Sequence, residues 1–353
     1  MPNPNSAKTH ILRRQRSQHK KSTKNFKQRR KNRLKHWKRG NIFSLNRSSR
    51  KERDLETLNL VAPQHFKFIE NTDSVLTFIK TGKKALMEGL PVRFDISKIQ
   101  SLSPDAIAIL ISHLTSFRSY GTTIYGNAPD DEEMKELFTS SGFYNYVNSH
   151  KKFEPSDKNL MHKESNFKVK PEIAEKATML INSNGDYSED NIEAIYSIFI
   201  EMMSNTHHHA SLNKFGNSKW VIYVYNDTKN EITSVSFLDL GVGIFKSVVM
   251  KNYLKKIAIK FPLVRNIILV DDLLSGKIGS RIDVDNEIRG KGIPQIISYS
   301  KLPFFKKFYL ITNEVKINLK TGEKDELRNN FGGTFYYFEL CSKLKNNESN
   351  TVN

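Results

Sequence analysis

The sequence predicts an α/β protein made of two folded units behind a basic tail. Three observations carry that reading. Short strand-like stretches alternate with helical ones between residues 64 and 147, a long amphipathic helix followed by strands begins near residue 191, and the composition changes abruptly after residue 51. A chain of 353 residues has room for two ordinary cores and a tail.

The tail, residues 1–55, holds most of the charge. Of the 56 Lys and Arg side chains, 18 lie within residues 1–51, where there is no acidic residue. The remainder is nearly neutral, with 38 basic against 37 acidic side chains, so the net charge of +19 belongs to the tail rather than the body. From Ile11 to Gly40 the chain is too charged, and too poor in spaced apolar residues, to bury a core face, and it is expected to be disordered when free. It reads either as a solubilising segment or as an electrostatic arm for nucleic acid or an acidic partner, with Phe26 and Trp37 available to stack on bases. An anionic membrane surface fits less well, because the hydrophobic face it requires is missing. The single cysteine, Cys341, excludes an internal disulfide framework. No apolar run approaches the roughly 18 to 20 residues of a membrane span, and the N-terminus lacks a signal-peptide stretch. A soluble, cytoplasmic protein is expected.

The first folded unit spans residues 60–148. His65–Glu70 and Pro91–Ile96 alternate like strands, whereas 74–88 carries Val75, Phe78, Ile79, Leu86 and Met87 at helical spacing. A second helix starts near Pro104-Asp105, with proline in its first turn and Ala106, Ile107, Ile109, Leu110, Ile111 and Leu114 as its buried stripe. A strand at Thr122–Tyr125 and a helix from Asp130, whose acidic start suits the helix dipole, complete the unit. This order, and Phe94 through Leu114 in particular, resembles a STAS domain, the fold of anti-sigma-factor antagonists. Such antagonists carry a phosphoacceptor serine at a helix start. Here the matching turn reads Leu102-Ser103-Pro104-Asp105-Ala106, so the acceptor position holds Pro or Asp, and Ser101 and Ser103 read as helix-capping residues. A phosphoserine switch is not expected there.

Residues 149–169 are polar and read as a linker. His162 is followed by Lys163 rather than an acidic residue, which argues against the phosphoacceptor helix of a sensor histidine kinase. The second unit, 170–342, opens on the most regular helix of the chain, 191–210, with Ile195, Ile198, Phe199 and Met202 on one stripe. Glu201 and Asn205 lie about 40° apart around that helix, so a carboxylate and an amide share one edge of the stripe. Strands follow at Lys219–Tyr225 and Ile232–Leu238, the second running into Asp239-Leu240-Gly241-Val242-Gly243. Gly290-Lys291-Gly292 precedes a helix at Pro294–Ser300, and Gly332-Gly333-Thr334 leads into a strand at Phe335–Leu340. The run His207-His208-His209 cannot hold one metal ion, since helical neighbours point about 100° apart. A short tail, 343–353, ends the sequence.

Glu201-x-x-x-Asn205, Asp239-x-Gly241-x-Gly243, Gly290-x-Gly292 and Gly332-Gly333-Thr334 together resemble the N, G1, G2 and G3 boxes of the GHKL nucleotide-binding fold. That fold is shared by gyrase, heat-shock chaperones, mismatch-repair ATPases, histidine kinases and anti-sigma-factor kinases. The match covers about residues 170–342 and is closest to compact bacterial ATPases related to the anti-sigma kinases. It implies a two-layer α/β sandwich, with an antiparallel or mixed sheet and helices on one face, and it implies ATP and Mg²⁺ as ligands. It also implies roles. Glu201 is the candidate catalytic carboxylate and Asn205 the Mg²⁺ ligand; both suit the chemistry, since a carboxylate accepts a proton and Mg²⁺ prefers oxygen. His208 falls where a basic residue approaches phosphate. Asp239 accepts the adenine amine, Gly241 and Gly243 let the backbone sit close to the base, and Thr334 supports Asp239. Gly290, Lys291 and Gly292 cradle phosphate at a helix start, with Arg281 and Arg289 as weaker candidates. The basic stretch from Lys246 to Lys260 corresponds to a variable lid.

Three functions follow as expectations: a regulatory ATPase whose lid closure controls a protein partner, a serine or threonine kinase of the anti-sigma type, and a nucleic-acid-binding adaptor with a nucleotide switch. The nucleic acid would bind through residues 1–51. A homodimer stays open.

Overall fold

The computed structural model describes residues 57–147, 153–164, 168–209, 220–249, 265–275, 279–280 and 292–341, with side chains at all of these but 207–209, 246–249 and 279–280. The expectations for the basic tail, for most of the lid, for Arg281, Arg289, Gly290 and Lys291 and for 343–353 lie outside the described residues, as does the side chain of His208.

In the first unit β1 (Leu58–Val61), β2 (His65–Phe66), α1 (Thr72–Met87), β3 (Val92–Asp95), β4 (Ser101–Leu102), α2 (Pro104–Phe117), β5 (Ile124–Gly126) and α3 (Glu132–Ser140) follow in turn. Strands β1, β3 and β5 form a parallel sheet in that order, and β2 pairs with β4. The expected helices are present. Asp131 caps α3, its carboxylate accepting the Met134 N–H at 2.9 Å. The expected strand at His65–Glu70 stops after Phe66, because the chain turns through residues 68–70 into α1. The capping expectation at Ser103 needs correction. Ser103 occupies the N-cap position of α2, yet its hydroxyl makes no capping hydrogen bond. The next carboxylate, Asp105, is buried and accepts the Ile69 N–H at 2.7 Å.

The second unit begins with β6 (Asn159–Glu164), inside the segment expected to be a linker. There follow α4 (Pro171–Asn182), α5 (Glu189–His209), β7 (Trp220–Asp227), β8 (Ile232–Asp239), α6 (Ile244–Ser247), β9 (Val248–Val249), α7 (Val270–Leu274), β10 (Gly279–Ser280), α8 (Gly292–Ser300), β11 (Phe305–Thr312), β12 (Val315–Asn318), β13 (Lys324–Glu326) and β14 (Thr334–Cys341). Seven strands form one sheet in the order β13-β12-β11-β14-β8-β7-β6, and every neighbouring pair is antiparallel. Strand β6 is an edge strand, half exposed, which is why its residues look as polar as a linker.

Both faces of this sheet are covered. On one, Ile195, Ile198, Phe199 and Met202 of α5 pack with α4, α8 and the sheet residues Trp220, Phe237, Tyr336 and Phe338. The helices α4, α5 and α8 of the second unit thus share one face, and the opposite face is covered from outside the unit. Helix α2 lies across β7 and β8 on the other face, and its core is continuous with Val221, Tyr223, Leu238, Phe335 and Tyr337. Phe68 meets Phe335 edge to face, with ring centroids 5.0 Å apart. The cause is in the sequences themselves. Helix α2 buries residues all round from Asp105 to Ser112, as a helix held between two layers must, and β14 buries both faces from Thr334 to Leu340. No helix among the described residues is long and apolar enough to cross a membrane.

Candidate functional site

One end of the seven-stranded sheet collects the predicted residues that the structure describes. Trp220, Asp239 and Thr334 stand in a single row across β7, β8 and β14, at the start, end and start of their strands. Side chains alternate along a strand, so Asp239 and Thr334 share the face of Phe237 and Tyr336, which is the face that α5 covers.

Asp239 is buried, and its Oδ1 accepts the Gly241 N–H at 2.7 Å. Burial pushes its pKa up to about 6, against the opposing pull of the Gly241 N–H and the Thr334 side chain. The resemblance gives Thr334 the part of supporting Asp239, and the Thr334 side chain stands in the neighbouring strand position, close enough to oppose the rise in that carboxyl's pKa. A carboxylate has about four lone-pair positions, so the Gly241 bond leaves acceptor capacity for a further donor.

The two glycines after Asp239 act differently. Gly243 takes a left-handed backbone, φ +80°, and a Cβ there would stand 2.6 Å from the Asn313 side chain. Gly241 has no such backbone; it contributes its N–H. On the other side of Asp239, Gly333 has φ +151° and lies so close to the Asp239 carbonyl oxygen that any side chain would collide with it.

The turn is held from the β11–β12 hairpin by residues the sequence reading did not select. Thr312 Oγ1 accepts the Ile244 N–H at 2.9 Å and donates to the Gly333 carbonyl at 3.0 Å. Asn313, fully buried in a left-handed conformation at φ 53°, accepts the Phe245 N–H at 3.2 Å and donates to the Val242 carbonyl at 3.1 Å. Asparagine tolerates that backbone better than most residues, the only sequence signal that could have marked it.

Glu201 and Asn205 emerge from α5, as their spacing required, beside the start of α8. A Cβ at Gly292 would stand 2.5 Å from Glu201 Oε2 and 3.2 Å from Asn205 Oδ1. Glycine is what allows the first turn of α8, with its unpaired N–H groups, to approach this carboxylate and amide. Glu201 is half buried, and desolvation raises its pKa above the usual carboxylate value.

Tyr336 ties the two halves together. Its hydroxyl lies beside the Asn205 side chain and within electrostatic reach of both Asp239 and Glu201, and burial raises its pKa. Sequence reading saw Tyr336 only as part of an apolar strand. Among the described residues, Tyr336 Oη and Asn205 Nδ2 are buried polar atoms with no hydrogen-bond partner. A buried polar atom left without a partner costs on the order of 1 to 3 kcal/mol, and these two side chains lie beside each other. No cluster of three or more His, Cys, Asp or Glu side chains among the described residues could hold a metal alone.

Glu201, Asn205, Asp239, Gly241, Gly243, Gly292 and Thr334 are thus brought to one end of one sheet. A scan of protein-family models and a search of curated proteins find no match to the chain.

Proposed function

We propose that the second unit is a GHKL-type nucleotide-binding domain that binds Mg²⁺–ATP at the end of its sheet, and that the chain is a regulatory ATPase. One observation carries the reading. Boxes far apart in sequence converge around Tyr336, with Asp239 as a buried acceptor on one side and Glu201 and Asn205 on the other. The four-box order and the seven-stranded antiparallel sheet with α4, α5 and α8 on one face support it.

Each residue has a task that follows from its chemistry. Asp239 accepts the exocyclic amine of adenine and disfavours guanine, which presents an oxygen there. The Thr334 hydroxyl and Gly241 N–H keep that carboxylate oriented. Asn205, on the same edge of α5 as Glu201 and with its Oδ1 facing the start of α8, offers an amide oxygen to a hard divalent cation. Magnesium, when bound, supplies charge to the phosphate oxygens. Glu201, with its raised pKa, is suited to take a proton from the attacking group. The first turn of α8 presents N–H groups to phosphate. The first unit, proposed as STAS-like, braces the sheet from the far side through α2. Its buried Asp105 stands near the position of the phosphoacceptor and cannot replace it. A nucleic-acid role for residues 1–51 rests on their charge alone.

Incubation with γ-labelled ATP, with and without cell extract, tests the reading. Free labelled phosphate is expected. Label on a partner protein instead moves the function to a kinase, and failure to bind ATP at all overturns the proposal.

Ionised Asp239 is a stronger acceptor for the adenine amine than the protonated acid. Affinity for adenosine is therefore expected to fall as pH drops through about 6, and to be flat across that window in Asp239→Asn. Calorimetry from pH 5 to 8 reads this, with adenosine used because it carries no phosphate that titrates there. The linkage for folding runs the other way. A raised carboxyl pKa gives stability that is present below the unfolded value and lost as pH rises through about 6, so this group destabilises the unliganded fold at neutral pH.

A further inference from the structure

The two units are tied by a hydrogen-bonded clasp as well as by their shared core. Asp73 sits in the first turn of α1, where an acidic side chain ordinarily serves its own helix. Here it reaches the loop between β13 and β14. Its Oδ1 accepts the Asn329 N–H at 2.9 Å and its Oδ2 the Arg328 N–H at 3.2 Å. The Asn329 side chain answers, donating to the Asp73 carbonyl at 3.2 Å and to Thr77 Oγ1 at 2.9 Å. Lys80 Nζ donates to Asn329 Oδ1 at 3.2 Å, so every polar atom of that amide is engaged. A second tie, Lys316 Nζ to the Ile69 carbonyl at 2.8 Å, runs alongside.

The clasped loop is the one that delivers Gly333 and Thr334. Its Asn330 side chain bonds to Glu314 and to the Gly332 N–H. Its Phe331 N–H donates to the Asn313 carbonyl at 2.8 Å, and the Phe331 ring lies against Phe68 and Phe335. Asn313 in turn holds Val242 and Phe245. A contiguous set of hydrogen bonds therefore joins α1 of the first unit to both sides of Asp239: through Gly333, which abuts the Asp239 carbonyl, and through Asn313, which shapes the turn after it.

We infer that Asp73 is a positioning residue for the nucleotide, acting through Asn329 and the 328–333 loop, so that the first unit sets how tightly the second binds adenine. The inference rests on the ATP reading of the site. Asp73 acts at a distance; it holds two backbone amides by charge-assisted bonds, and a loop released there gains freedom at Gly333, which lies against the Asp239 backbone, so its movement reaches Asp239.

The test measures binding of ATP, ADP and adenosine by calorimetry, with full-length wild type, Asp73→Ala, Asp73→Asn and Asn329→Ala, well below each protein's melting temperature. Asp73→Ala and Asn329→Ala are expected to weaken all three ligands by one common factor of about 5 to 30, within the usual range of coupling between sites. Asp73→Asn, which keeps one acceptor oxygen, is expected to fall between wild type and Asp73→Ala. The common factor is the signature of a defect at the adenine end. A merely structural role lowers the melting temperature while leaving affinity unchanged in the folded protein. Asp73→Ala combined with Asn313→Ala should lose less than the product of the single losses, because both act on one connected element. If wild type binds ATP and folded Asp73→Ala and Asn329→Ala bind adenosine with wild-type affinity, the inference is wrong and the ATP reading stands. If wild type binds no adenine compound, the ATP reading itself is wrong. Should Asp73→Ala fail to fold, Asp73→Asn and Asn329→Ala decide the question.

Discussion

Asp239→Ala is expected to weaken ATP binding by about 10- to 100-fold, the consequence of losing a buried acceptor worth roughly 1 to 3 kcal/mol. The loss should appear equally for ATP and adenosine, since Asp239 lies at the row shared with Trp220 and Thr334 and its task concerns the base. The more informative variant is Asp239→Asn. Keeping a carboxylate ionised in this buried position costs about 3 kcal/mol at neutral pH, from a pKa raised to about 6. An amide removes that cost, though it accepts the Gly241 N–H less strongly. The Asn variant should therefore melt no lower than wild type at pH 7 while binding ATP poorly, the opposed changes expected where a fold carries strain for a ligand. Calorimetry and thermal melting read both. Wild-type affinity in a folded Asp239 variant would remove this residue from the site.

Glu201→Gln is expected to retain ATP and to slow turnover by about 10²- to 10⁴-fold, because a general base contributes to the barrier far more than to binding. Gln is preferable to Ala here, since the side chain also packs at the start of α8 beside Gly292 and an isosteric amide leaves that contact in place. Single-turnover phosphate release with equilibrium ATP affinity measured in parallel separates the two effects. An unchanged rate with unchanged affinity would show that the carboxylate only fills space. Asn205→Ala should behave differently, losing the magnesium dependence of binding and leaving adenosine affinity alone.

The contrast between Glu201 and Tyr336 shows what one-dimensional reading can recover. Glu201 and Asn205 are one helical turn apart on a strongly periodic segment, so their common edge follows from geometry alone. Tyr336 lies in Phe335-Tyr336-Tyr337-Phe338, where both faces of the strand are apolar and no alternation reveals which side a residue serves. Strand β6 was hidden for the reverse reason, because an exposed edge strand carries the composition of a linker. Strands β11 to β13 and helix α4 were not foreseen, although Phe305, Phe308 and Leu310 form part of the core.

What the amino-acid order determined by itself is local: the stripe and polar edge of α5, the glycine turn after Asp239, the proline start of α2 and the charge of residues 1–51. Each depends on residues within a few positions of one another, where backbone geometry and side-chain spacing suffice. The tertiary structure alone decided which sheet face receives α2, that Asn313 buttresses the Asp239 turn, and that Asp73 reaches Arg328 and Asn329 across the chain. Those pairings join segments up to 256 positions apart, and their formation depends on which buried surfaces and backbone amides are left unmatched once the sheet has closed.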